Sequence, residues 1–335
     1  MSIDSIYESM SSQAEGIMLT GHNNSNMIID FNGIKAVRRI PRDTLHDMDI
    51  RAIPEKEILA ALSGKGIAAP SLLQQNGDMI VMSLMPGDVL ADAYGFTGRL
   101  PEWIVQDIGY CMAELHNKRY PAIERYKDAI ASSPRQLYAV LQEKIEEIAS
   151  SSYGSIGGIC ELLEIPLDNL FQGCEGDSNI LEDRQMVLCH CDVHRRNVLA
   201  DEDAMLVSLI DWELACYADP LYDIAVALQK LRLPPDEERL LIDSYFEESK
   251  TRETKTTRRQ IDAYRKLEIV KYSVTDILRV VESIRDGYAT GEWKAEIERY
   301  AVKLANAYRV WGKDDPFDSN EIMRAFNAAF KGRLS

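Results

Sequence analysis

Between residues 190 and 213 the chain gathers the side-chain types that phosphoryl transfer needs. The run is His190-Cys191-Asp192-Val193-His194-Arg195-Arg196-Asn197-Val198-Leu199, followed after a short apolar stretch by Leu209-Ile210-Asp211-Trp212-Glu213. A hydroxyl nucleophile needs an acceptor for its proton within hydrogen-bond reach. A nucleoside triphosphate needs magnesium, a hard cation that prefers oxygen ligands. Asp192 can supply the acceptor, and Asn197 and Asp211 the metal-binding oxygens. An aspartate also serves as a helix N-cap. Here an amide five residues on and a second carboxylate beyond a short strand favour the chemical reading. Cys189, His190 and Cys191 are metal-ligating types as well, but a zinc site needs two further ligands at workable spacing and none appears. The two cysteines read instead as half-buried residues at a strand end. All six cysteines are scattered without a C-x-x-C pair and read as reduced thiols.

These groups need elements to hold them. Met186–Cys189 and Met205–Ile210 read as short apolar strands, so a loop followed by a hairpin brings the three groups into one cleft. Residues 1–15 read as a leading helix or arm, and Gly21 to Asn26 as a polar turn. Met27–Phe31, Asn32-Gly33 and Ile34–Ile40 read as strand, tight turn and returning strand. The spacing predicts a helix over 55–65, with Ile58, Leu59 and Leu62 as its apolar stripe and Gly64 and Gly66 at its end. Met79–Met82 is a further strand. After Pro86-Gly87 the chain turns mainly helical, with helices after Pro101, over 136–150 and throughout 236–331. The Ser/Gly-rich residues 151–158 read as a surface loop. The expectation is an α+β, two-lobed architecture: a strand-rich lobe over residues 1–85 and a large helical lobe over 86–335, crossing near residues 83–88.

His190-x-Asp192-x-x-x-x-Asn197 resembles the catalytic loop of kinase-fold enzymes, and Ile210-Asp211-Trp212-Glu213 resembles their metal-binding segment. Asp211-Trp212-Glu213 in place of Asp-Phe-Gly, with Asp219-Pro220-Leu221-Tyr222-Asp223 close behind, resembles the aminoglycoside phosphotransferase and choline kinase group. The resemblance covers roughly residues 15–230. It implies a protein-kinase-like fold, a nucleoside triphosphate (ATP or GTP) as co-substrate, and Mg2+ held by Asn197 and Asp211. It implies Asp192 as catalytic base, and His190 and Asp223 as residues that brace the loop. By the same resemblance a basic residue on an early strand contacts the phosphates. Arg39 is favoured, with Lys35 and Arg38 open, and Glu55 is its helix partner, with Glu57 second. Met82-Ser83-Leu84-Met85 resembles the hinge, so Ser83 and Met85 would meet the purine edge. Gly21 to Asn26 sits where the phosphate-covering loop belongs but lacks its glycine pattern. His194, Arg195 and Arg196 replace the Pro-Gly common in relatives; one arginine could face the phosphate, or both could be solvated.

The acceptor is the least legible part. Glu268, Tyr272 and Asp276 recur every four residues on one helix face. Directed at the cleft they would hold an ammonium group, with Trp212, Trp293 or a tyrosine adding cation–π contact; directed outward they are a solvated stripe. Glu213, next to the chemistry, is the stronger substrate candidate. The net charge of -16 disfavours nucleic acid and anionic membranes and suits a cationic acceptor. No apolar run reaches the ~18 residues of a membrane span, and Met1 to Gln13 lacks the pattern of a secretory leader, so a cytoplasmic protein is expected. The readings in order are an O-phosphotransferase acting on an aminoglycoside-type antibiotic or similar amine, a choline or ethanolamine kinase, and a catalytically silent kinase-fold binding module. Silent relatives usually lose the base or a metal ligand, whereas this chain keeps all three. The seven residues between Asp211 and Asp219 are too few for the peptide platform of a protein kinase.

Overall fold

The computed structural model describes residues 17–19, 24–41, 50–285, 290–313 and 317–330. In chain order its elements are β1 (Ile17–Leu19), β2 (Asn24–Phe31), β3 (Ile34–Pro41), α1 (Glu55–Leu62), β4 (Leu72–Asn76), β5 (Met79–Ser83), β6 (Asp88–Val89), α2 (Leu90–Tyr94) and α3 (Glu102–Asn117). Then follow α4 (Pro134–Ser151), α5 (Tyr153–Leu162), β7 (Val187–Cys189), β8 (Val198–Asp201), β9 (Leu206–Leu209), α6 (Pro220–Leu231), α7 (Pro235–Glu248), α8 (Lys255–Arg285), α9 (Thr290–Val310) and α10 (Ser319–Ala329). The architecture is α+β, with a small antiparallel sheet and a mostly helical remainder. The chain packs as two compact units. One comprises residues 1–127, 187–216 and 230–251; the other comprises 128–186, 217–229 and 252–335.

The first unit is built on a five-stranded sheet in the order β1-β2-β3-β5-β4. Its central hairpin closes where Asn32 and Gly33 both take positive φ (54° and 83°), pairing Phe31 with Ile34. That two-residue turn matches the right-handed twist of the strands it joins. Asp30 Oδ1 braces it by accepting the Gly33 amide at 2.9 Å. Helix α1 buries Ile58, Leu59, Ala61 and Leu62, and it starts with Glu55 and Glu57, acids that suit the positive helix end. A second small sheet runs β6-β8-β9. Its hairpin sets Val198 against Leu209 and Asp201 against Leu206. The turn is held by Asp201 Oδ1, which accepts the amides of Asp203 and Ala204, both at 3.1 Å. Helix α3 buries Ile104, Ile108, Met112 and Leu115 and packs along α7.

The second unit is helical around α8, which buries Ile261, Tyr264, Leu267, Val270, Val274 and Ile277 and lies against α4, α5 and α9. Inside it Asp219 accepts from Arg184 Nη1 at 2.5 Å and from the Tyr264 hydroxyl at 3.0 Å, and caps the Leu221 amide at 3.0 Å.

Of residues 151–158, expected as a loop, Ser151 ends helix α4, Ser152 is the junction, and residues 153–158 open helix α5. Its buried residues Ile156, Ile159 and Cys160 fall at helical spacing, and that stripe outweighs the weak propensity of its glycines and serines. Strand β4 was not anticipated either: its exposed Gln74, Gln75 and Asn76 form the sheet edge and lack an apolar alternation. The polar turn expected at Gly21 to Asn26 ends sooner, because Asn24 already belongs to β2; its first three residues, and the leading segment over 1–15, lie outside the described residues.

Candidate active site

The catalytic-loop candidates emerge from β7. His190 is fully buried, its ring 4.6 Å from the Trp212 indole. Its Nδ1 accepts the Asp192 amide at 3.3 Å, and Nε2 lies 3.0 Å from the Ile210 carbonyl. These contacts place the proton on Nε2 and tie the loop to the segment that carries Asp211. Cys191 and Asp211, which flank that tie, both take positive φ (61° and 65°). Non-glycine residues hold that conformation only where the surroundings over-determine it.

The hairpin β8–β9 does the rest of the positioning. Four residues up, a four-residue turn and four residues back return the chain to its starting level, and the Ile210 amide donates to the Asn197 carbonyl at 3.0 Å. Asn197 and the Asp211 segment therefore lie side by side. Asn197 Nδ2 donates to the Asp192 carbonyl at 3.1 Å and to Asp192 Oδ2 at 3.0 Å. The amide nitrogen is thus used on Asp192, and its oxygen is directed away. Asp211 Oδ1 accepts from Arg39 Nη1 at 2.7 Å; its Oδ2 takes no part in that bond. The two remaining donors are hard oxygens, a set that fits magnesium.

Arg39, buried on β3, donates through Nη1 to both Glu55 oxygens at 2.7 and 2.8 Å and through Nε to Asn26 Oδ1 at 3.0 Å. Glu55 also accepts the Trp212 amide at 3.2 Å. Burial works against the charged form of Arg39, but the carboxylates of Glu55 and Asp211 outweigh it and hold the guanidinium protonated. Burial pushes the Glu55 carboxyl above its usual range, and Arg39 offsets only part of this. Of the other basic candidates on β3, Lys35 is exposed and Arg38 lies against Met27 Sδ at 3.3 Å. Arg125 and Tyr126 both bond Glu57.

At the end of β5 the Ser71 amide donates to Ser83 Oγ at 2.9 Å, and Met85 lies half-buried just beyond. Glu213 accepts from Asn24 Nδ2 at 2.9 Å and lies 3.8 Å from Arg51 Nη1. Trp212 is wholly buried and donates to the Leu209 carbonyl, so its face is not available to a ligand. The side chain of Trp293 lies outside the described residues.

The arginines of the loop separate. Arg195, 2% exposed, donates to the carbonyls of Leu231 (2.7 Å), Gly95 (3.1 Å) and Gly98 (2.6 Å). Arg196 is exposed and stacks its guanidinium over Phe96 at 4.9 Å. Burial drives His194 down to about 4, against the pull of Asp192, so it is neutral at neutral pH. Lys230, which the sequence reading did not single out, forms an ion pair with Asp192 Oδ1. Burial is the largest influence and would raise the Asp192 carboxyl, but the Lys230 ammonium together with His194 and His190 holds it below the ordinary range.

In the second unit, Asp223 is fully buried in the first turn of α6. The acidic face of α8 is buried rather than solvated, and it carries its own cations. Glu268 accepts from the Tyr222 hydroxyl at 3.0 Å and pairs with Lys271. Asp276 pairs with Lys303 and Arg279, and the Lys303 ammonium lies 4.3 Å from the centre of the Tyr272 ring.

A small antiparallel sheet joined to a helical body, with this constellation of acid, amide and acid, defines a kinase-like phosphotransferase. The profile of the phosphotransferase enzyme family matches residues 20–264, and the chain belongs to that family. Protein LicA of Haemophilus influenzae is 23% identical over 255 residues, spanning 75% of this chain and 68% of LicA. The choline kinase LicA from Streptococcus pneumoniae superposes with a TM-score of 0.54 at 18% identity, covering 91% of this chain and 98% of that one. The streptomycin–ATP–APH(2")-IIa ternary complex superposes with a TM-score of 0.55 at 15% identity, covering 96% of this chain and 99% of that one. The chain is an enzyme, a small-molecule kinase that phosphorylates a hydroxyl group.

Proposed function

We propose that the chain moves the γ-phosphoryl group of ATP to the hydroxyl of a small amine-bearing acceptor, with aminoalcohols such as choline or ethanolamine as the favoured class. The observation that carries this reading is the pair of clamped carboxylates: Asp192 held by Asn197 and Lys230, and Asp211 held by Arg39 and Glu55. Asp192 receives the hydroxyl proton as the acceptor oxygen bonds to the γ-phosphorus. The bond to the β–γ bridging oxygen breaks, and the nucleoside diphosphate leaves. Asn197 and Asp211 would hold Mg2+, which when bound neutralises charge on the phosphate oxygens. Arg39 adds fixed positive charge, and the Met82–Met85 segment receives the purine. Most of the rate enhancement is positioning and charge stabilisation rather than covalent chemistry.

The aminoalcohol preference draws on the likeness to LicA proteins, one of them a choline kinase. An amino-sugar antibiotic is the second reading, drawn from the likeness to the streptomycin–ATP–APH(2")-IIa complex. Under either reading Glu213, two residues beyond Asp211, is the acid we assign to the acceptor's amine.

The test is magnesium-dependent transfer of labelled γ-phosphate from ATP, with GTP alongside, into choline, ethanolamine, aminoglycosides and neutral sugars. Transfer to an amine-bearing compound is expected. Asp192→Asn should lower it by about 10³-fold with nucleotide affinity unchanged, whereas Asp211→Ala should weaken magnesium–nucleotide binding. Transfer to none of these compounds, or equal loss of nucleotide affinity in both variants, overturns the proposal.

A further inference from the structure

We propose that Lys230 is a positioning residue of phosphoryl transfer, fixing the orientation of the Asp192 carboxylate from an element outside the catalytic loop. This inference rests on the reading of Asp192 as the group that aligns the acceptor hydroxyl.

A carboxylate turns about its Cβ–Cγ bond unless both oxygens are held. Asn197 Nδ2 holds Oδ2 at 3.0 Å, and the Lys230 ammonium holds Oδ1. His194 Nε2 stands 3.6 Å from Oδ2, beyond hydrogen-bond reach. Lys230 and Asn197 therefore define the plane between them. Each carboxylate oxygen accepts more than one hydrogen bond, so the clamp leaves a lone pair for the substrate hydroxyl. The Asp192 side chain is only 15% exposed and that of Lys230 19%. A carboxylate at that depth needs a paired cation to remain charged.

The placement of Lys230 is itself built. Lys230 lies in the last turn of α6, and the next residue, Leu231, presents its carbonyl at the helix end. That carbonyl is taken by Arg195 Nε at 2.7 Å, from inside the catalytic loop, while the other guanidinium nitrogens hold Gly95 and Gly98. A helix-end carbonyl with no partner in the helix is thus used to anchor the helix to the loop. Arg195 fastens the loop to the helix end, Lys230 reaches back from that end to Asp192, and the two contacts together fix one geometry. A cation that served only the negative end of the helix dipole would not need to reach a buried carboxylate.

The experiment uses the full chain with Mg-ATP, reading phosphorylation of choline, ethanolamine and streptomycin and, as an acceptor-independent measure, hydrolysis of labelled ATP by water. Wild type, Lys230→Met, Lys230→Arg, Asp192→Asn and the Lys230→Met/Asp192→Asn double variant are compared, with thermal unfolding followed for each. The expected result is a fall in kcat of about 100-fold for Lys230→Met, with the KM for ATP changed less than about threefold. Lys230→Arg should recover at least about tenfold of this, and in the Asp192→Asn background Lys230→Met should cost little more. Full activity in Lys230→Met beside a dead Asp192→Asn overturns the role of Lys230 and leaves that of Asp192 standing. Full activity in Asp192→Asn, or no turnover by wild type with any acceptor or water, overturns the reading beneath it. Equal loss in Lys230→Met and Lys230→Arg, together with a lowered unfolding temperature, assigns Lys230 to folding and also overturns the proposal.

Discussion

Arg39 is the side chain that ties the carboxylates of Glu55 and Asp211 together in the candidate site. Through one nitrogen it meets Glu55 and Asp211, and through another it meets Asn26. Its side chain is 7% exposed and that of Glu55 11%, so neither charge can turn to water if the other is removed. Taking away one member of a buried pair costs about 3 kcal/mol, because the remaining charge is left uncompensated. Arg39→Met should lose about that much stability in urea unfolding and should weaken nucleotide binding as well. Glu55→Gln keeps the shape and one hydrogen bond, and should lose less. Equal stability of Arg39→Met and wild type would show that the two carboxylates find other partners. Arg39→Lys is not a mild change either: an ammonium lacks the planar fork that serves both carboxylates and Asn26 at once.

At the scale of elements, the link between sheet and helices turns on Gly87. Its φ is +96°, and a Cβ there would stand 2.5 Å from the Ala200 carbonyl oxygen on β8. Because β6 pairs with β8, and β8 begins where the catalytic loop ends, Gly87→Ala should disturb the loop as well as the strand. The expected cost is about 2 kcal/mol, read as a lower denaturation midpoint, with a fall in kcat. An unchanged midpoint would mean that β6 moves aside freely. Much of this level was legible in the chain. Asn32-Gly33 announced the hairpin because few other dipeptides take two positive φ values. The intervals among Asp192, Asn197 and Asp211 announced the loop and hairpin. What was not legible depends on partners distant in sequence. Lys230 stands 38 residues from Asp192 and reads locally as an ordinary helix-end lysine. Arg195 read as either a phosphate-facing or a solvated loop charge, and only the three carbonyls around it make it a buried anchor. Helix α5 was hidden because glycine and serine speak locally for a loop, whereas the burial of Ile156 and Ile159 decides otherwise.

For the molecule as a whole, burial and net charge set the chemistry available at its surface. Burial pushes the thiols of Cys111 and Cys160 up to about 12 and that of Cys174 to about 11; Cys111 is half-buried, and Cys160, Cys174, Cys189, Cys191 and Cys216 are buried. At pH 8 a thiol with a pKa near 12 is ionised about once in ten thousand molecules, and only the thiolate is nucleophilic. The native protein should therefore react with a disulfide reagent at least about 100-fold more slowly than the urea-unfolded chain, in which all six should titrate. A single fast thiol in the native state would mark an open site where the structure shows a closed one. The net charge of -16 acts at longer range. Toward the amine-bearing acceptor proposed above it would act as an attraction that raises the encounter rate, and added salt would screen that attraction over a Debye length of about 8 Å at physiological ionic strength. With nucleotide saturating, kcat/KM for a cationic acceptor such as choline should fall several-fold between about 0.01 M and 0.3 M salt while kcat changes little. A neutral sugar alcohol phosphorylated by the same enzyme should show no such slope. Equal slopes for charged and neutral acceptors would mean that the acidic balance serves the surface generally and does not steer the acceptor. The acceptor class would then have to be sought in contacts of the site alone.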